Sequence, residues 1–191
     1  MLAKVLLATL LTTSTALAVS PWDDTTIKVD AAAELEVLKE LYESRKGTLA
    51  RNYNLYINGL TRTDDMLQSA AGYFVAASRL ACAERKCETS YRYAQLAVIS
   101  GERAKAAINH AVSQGLVSID VLMEAQARVA HAKIVVLRFE ALAKQRCVAL
   151  KPLQPMENDE FMELLGEELG VPAPSRKDQR KRRDKPAWSK E

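Results

Sequence analysis

The sequence predicts an all-α protein, and three observations carry that prediction: an apolar repeat at helical spacing, its duplication 55 residues further on, and a scarcity of turn-forming residues. Asp65-Met66-Leu67-Gln68-Ser69-Ala70 aligns with Asp120-Val121-Leu122-Met123-Glu124-Ala125, so Leu67, Ala70, Phe74, Ala77 and Ala81 fall on Leu122, Ala125, Val129, Ala132 and Val136. Both series advance by three, four, three and four residues. That spacing keeps side chains on one stripe of an α-helix and is the pattern of a coiled-coil seam. A sheet protein would need more turn residues than the seven Gly and six Pro of this 191-residue chain. Each copy follows a glycine turn, at Gly59 and at Gly115. The expected architecture is therefore two antiparallel helical hairpins forming a four-helix, coiled-coil-like bundle over residues 32–150.

Residues 1–18 have the form of a secretory signal peptide. Met1-Leu2-Ala3-Lys4 gives a short positive start, Val5 to Leu17 an apolar stretch, and Ala16-Leu17-Ala18 a cleavage site. The stretch is too short and too rich in Thr and Ser for a membrane span, and no later segment is apolar for long enough to be one. A mitochondrial presequence would carry several Arg, and this segment has none. The expected location is periplasmic or secreted, with an extended leader over residues 19–31.

The first helical stripe runs through Leu35, Leu38, Tyr42, Leu49 and Tyr56 and is expected to stop near Ile57, where Asn58-Gly59 suits a helix C-terminus. Thr63 or Asp64 can cap the second helix, which carries the first repeat copy to about Arg85. Lys86 to Ser90 is the expected break, with Thr89 or Ser90 as the next cap. The third helix follows Tyr93, Ala97, Ser100, Ala104, Ala107 and Ala111, small residues that let helices approach closely. The fourth begins near Ile119 or Asp120, its acid at the positive end of the helix dipole, and ends by Leu150, before Pro152. Its stripe extends the second repeat copy through Phe139 and Ala143. Residues 151–170 form a linker and an acidic amphipathic helix with Phe161, Met162, Leu164, Leu165 and Leu169 as its docking face.

Charge is distributed unevenly along the C-terminal part. Glu157, Asp159, Glu160, Glu163, Glu167 and Glu168 make one segment strongly acidic. Residues 171–191 then form a basic tail too polar to fold alone. From Ser175 onward eight basic residues face three acidic ones, seven of the eight being Arg176, Lys177, Arg180, Lys181, Arg182, Arg183 and Lys185. An exported tail of this kind either meets anionic envelope surfaces, contacts the acidic Glu157 to Glu168 segment, or stays solvated with no specific role. Nucleic acid is a poorer match, because only Trp188 supplies an aromatic and no folded recognition element accompanies it.

Three cysteines test the layout. In an antiparallel hairpin turning at Gly115, Cys87 and Cys147 face each other at the far end, which makes them the leading disulfide candidates. A local bridge between Cys82 and Cys87 is the alternative, and it requires a helix break between them.

The chain carries no catalytic constellation. There is no Gly-rich phosphate loop, no G-x-S-x-G elbow, no C-x-x-C-H and no Glu-x-x-His of the di-iron bundles. The only histidines, His110 and His131, fall far apart in the hairpin register. Asp64-Asp65 sits where helix capping explains it better than general acid–base work. Tyr53, Tyr56, Tyr91 and Tyr93 stand at helical spacing and fit packing better than a ligand platform. The expectation is a non-enzymatic protein with no cofactor and no metal.

The segment from Ser113 to Ala132, with its glycine turn, an acid followed by an apolar pair (Asp120, Val121, Leu122) and then Ala125-Gln126 and a run of Ala and small apolar residues, resembles the helical hairpin of TolC-type outer-membrane efflux proteins. Asp65-Met66-Leu67 is the matching start of the other half, and the likeness spans residues 32–148. No barrel strands are legible, so the resemblance implies a periplasmic hairpin bundle rather than a channel, with glycine tips that meet a partner coiled coil. The function expected is that of a structural or interaction protein of the cell envelope, accessory to an envelope or efflux assembly. It would act through a protein partner or self-association along coiled-coil surfaces. A holdase-type chaperone and a small-ligand-binding bundle are the alternatives.

Overall fold

A computed structural model describes residues 30–145 and 149–171. These residues form five α-helices and no strand: α1 (Ala31–Ile57), α2 (Thr63–Ala83), α3 (Cys87–Ser113), α4 (Ile119–Gln145) and α5 (Asn158–Leu169). The expected signal peptide, most of the leader, Cys147 and the basic residues from Arg176 to Lys185 lie outside the described residues.

Four of the helices end in one backbone motif. At the close of α1 the N–H of Gly59 donates to the Tyr56 carbonyl and that of Leu60 to Leu55, with Gly59 at a φ of 70°. Gly115 repeats the arrangement after α3 and Gly170 after α5. These bonds satisfy carbonyls that a helix end otherwise leaves unpaired, and a left-handed residue is needed to make them. After α2 the left-handed residue is Arg85, at a φ of 62°, so the turn closes in three residues and α3 starts at Cys87.

That early start corrects the expected break over Lys86 to Ser90. Ser90 is not a cap but a buried residue inside α3, where its hydroxyl donates to the Ser78 carbonyl at 2.6 Å while Ser78 donates to the Ser90 carbonyl at 2.7 Å. The reciprocal pair satisfies two buried hydroxyls inside the α2–α3 seam. The expected caps of α2 differ as well. Thr63 is already the first helical residue, and Asp64 is buried with its carboxylate gripped by two guanidinium nitrogens of Arg62 at 2.9 Å.

The first four helices pack on their neighbours in sequence, α1 on α2, α2 on α3 and α3 on α4. The widest of these contacts joins α2 to α3, between the two expected hairpins rather than within either. The core follows the predicted stripes closely. Leu67, Ala70, Phe74, Ala77 and Ala81 are all buried, as are Leu122, Ala125, Val129 and Ala132; Val135 takes the place expected of Val136. Tyr53, missed by the first stripe, is fully buried. α3 and α4 run antiparallel, with the Tyr91 hydroxyl donating to Glu140 at 3.0 Å and Lys133 pairing with Glu102 at 2.5 Å. They meet closely at Gly101, where a Cβ would lie 2.9 Å from Val129 Cγ2.

Candidate functional site

With α1 and α4 at its edges, the four-helix layer has two faces, and α5 covers one of them. α5 opens on a capping box in which Glu157 and Glu160 satisfy each other's backbone ends, and Phe161, Met162 and Leu165 on its inner face are buried with Tyr53 and Phe74 in the main core. Its last turn presents Glu168 to a group of tyrosines. Tyr73 donates to that carboxylate at 3.0 Å and Tyr93 at 3.3 Å, and the Tyr42 hydroxyl lies 3.3 Å from that of Tyr73. Burial, then the Tyr42 hydrogen bond and Glu168, push the Tyr73 hydroxyl well up from its usual range; burial and Glu168 push Tyr93 up to about 12. Hydroxyls that hold their protons so firmly are donors, not bases or nucleophiles. Chemically the cluster is a clasp for α5.

Arg103 secures the other end of the same helix. One of its nitrogens donates to the Met156 carbonyl, and the guanidinium sits 4.5 Å from the centre of the Phe161 ring. Burial lowers its pKa and Glu157 partly offsets that effect. The preceding linker is tied down by Leu153, whose N–H donates to Gln95 at 3.0 Å.

The opposite face is an open trough of about 550 Å³. Ala71, Gly72, Ala76, Ala97 and Ala104 pave it from α2 and α3, while Leu41 on α1 and Val129 on α4 form its walls. Arg45, Arg79 and Arg128 line it from three different helices, with His131 beside them, and no Asp or Glu is among its described lining residues. Arg128 hydrogen-bonds Gln68 at 3.1 Å across the trough and pairs with Glu124 on its outer side.

α4 has a second apolar stripe, on the side turned away from α3. Met123, Ala127, Ala130, Ile134, Leu137 and Ala141 advance by four, three, four, three and four, and all are exposed. Met123 and Leu137 are each 62% exposed, and Ile119 with Leu116 extends the bare surface to the Gly115 corner. Met123, Ile134 and Leu137, with alanines between them, thus form an apolar row left exposed on this side of α4.

Of the residues singled out in the sequence, Gly59 and Gly115 occupy the left-handed corners just described. Cys87 is exposed at the first residue of α3, Cys82 is half-buried, and no bond joins the two. No group of three or more His, Cys, Asp or Glu side chains suited to a metal occurs among the described residues, and no helix there is long and apolar enough to cross a membrane. The trough and the Glu168 clasp were missed in the sequence. Each is assembled from three or four helices, and only the acidic character of α5 hinted at a polar anchor. Comparison with known proteins found no family model, curated protein or solved structure that matches the chain.

Proposed function

We propose that this chain is an exported, non-enzymatic interaction protein of the cell envelope, a helical scaffold that pairs with another coiled coil along the outer stripe of α4. The observation that carries this reading is that stripe, a seam at heptad spacing that no described residue of the chain covers. The likeness of residues 113–132 to the TolC-type hairpin supports the same surface, because it contains the Gly115 tip and the first half of α4. Support for export comes from the signal-like N-terminus. The partner is either a second copy or a coiled coil of an envelope assembly.

Site-specific photo-crosslinking in cells tests the proposal. A photoreactive residue at Met123, Ala130 or Leu137 is expected to yield one discrete adduct, and the same residue at Gln126 or Lys133, on the flank, is expected to yield none. Mass spectrometry of the adduct separates self-association from a distinct partner, and its recovery in the periplasmic or secreted fraction with residues 1–18 removed tests export. Adducts scattered over both sets, with suppressed aggregation of unrelated unfolded proteins at no defined stoichiometry, would replace this reading with the holdase.

A further inference from the structure

Of the outer stripe of α4, Ala127 alone is among the described residues that line the trough on the face away from α5. We propose that the trough receives an acidic amphipathic helix of about three turns, supplied by a partner protein. The two wall helices, α1 and α4, make no extensive contact with each other, and the space between them lies over a floor of small residues, crossed at one point by the Arg128–Gln68 hydrogen bond. An amphipathic helix lays its apolar face into a groove of this form.

Charge selects the occupant. Arg128 is hydrogen-bonded to Gln68, and Arg79 lies eleven residues further along α2, so the positive side chains are spread over about 16 Å of the trough. A single-headed amphiphile needs its positive partners gathered at one end. A helix with carboxylates along both flanks meets arginines along its whole length.

Gly72 points the same way. It stands in the middle of α2 and lines the trough, where a glycine weakens a helix relative to alanine. No described residue requires it there. A Cβ would meet only the Arg45 side chain, at 3.8 Å, which is ordinary contact. The missing methyl instead leaves room for a second backbone to approach.

The probe is a fluorescein-labelled peptide of about four turns, with leucines at i, i+3, i+4 and i+7 and glutamates beside them, titrated onto the full chain by fluorescence polarisation. Its twin with every glutamate replaced by lysine is expected to bind at least about tenfold more weakly. Arg45→Glu with Arg128→Glu is expected to invert that preference. Gly72→Leu is expected to abolish binding of the acidic peptide, and Gly72→Ala to raise Tm while weakening it. Should Gly72→Leu fail to fold, the charge swap at two exposed residues still decides the matter. Met123→Asp with Leu137→Asp, which tests pairing along α4, is expected to leave the peptide affinity unchanged. Equal binding of the two peptides overturns the proposal. So does an unchanged affinity in a Gly72→Leu chain that melts like the parent, or palmitate binding that Gly72→Leu removes while neither peptide binds.

Discussion

A glycine inside a helix can be demanded by the residue that it faces on the next one. Gly101 is required by packing: the Cβ of an alanine would lie 2.9 Å from Val129 Cγ2, and a β-branched neighbour on a helix has little rotamer freedom with which to yield. Gly101→Ala gains about 1 kcal/mol of helix propensity against an overpacking cost of about 1–3 kcal/mol. The expected result is a net loss of about 1 kcal/mol, seen as a fall in Tm of about 3 °C, and Val129→Ala in the same chain should restore the loss attributable to the clash. Unchanged stability in the single variant would mean that α3 and α4 are not held this close. The small-residue stripe of α3 was legible in the sequence as a place of close approach, and Gly101 stands next to its Ser100. Arg85 was not, because a left-handed corner is ordinarily announced by glycine or asparagine and here an arginine makes it. The expected break consequently lies too far along the chain, and Ser90, one of the two expected caps, is a core residue.

At the scale of the helix, α4 explains why one regular stripe is an incomplete description. Its Leu122, Ala125, Val129 and Ala132 pack on α3, and its Met123, Ala130, Ile134 and Leu137 form a second row facing solvent. Both rows were present in the sequence. What periodicity does not specify is that α4 stands at the edge of a layer, so that one row is covered and the other is bare. α5 shows the converse. Its docking residues Phe161, Met162 and Leu165 were legible from amphipathic spacing, but its anchor Glu168 was not, since the tyrosines that hold it lie 75 and 95 residues away in sequence. Phe161 is fully buried with the Arg103 guanidinium over its ring, so Phe161→Ala should cost about 3 kcal/mol, read by urea denaturation. A loss below about 1 kcal/mol would show that α5 is not an integral part of the core.

At the scale of the molecule, all-α character was legible because spacing and composition agreed, whereas the layering of α1 to α4, with α5 on one face and a trough on the other, depends on which stripes meet in space. The buried tyrosines give the whole fold an alkaline limit. Tyr91 is pushed up to about 12 by burial and by Glu140, and Tyr93 to about 12 by burial and Glu168, whereas unfolded tyrosines titrate near 10. Between pH 10 and pH 12 the unfolded chain releases these protons and the folded chain keeps them, so unfolding is favoured as pH rises, and below pH 10 this contribution is constant. Denaturation midpoints should fall across that window, and the fall should be shallower in Tyr93→Phe; a flat profile would contradict the buried cluster. The serial packing of the helices also bears on kinetics. The extensive contacts among α1 to α4 join helices adjacent in the chain, so this layer assembles by closing short loops, and a refolding rate in the microsecond to millisecond range of helical bundles is the natural expectation for it. The long-range ties run through α5, where Tyr53 reaches the Met162 carbonyl across 109 residues. Under tension applied at the two ends, that strap gives way first, and the remaining helices then peel off one at a time.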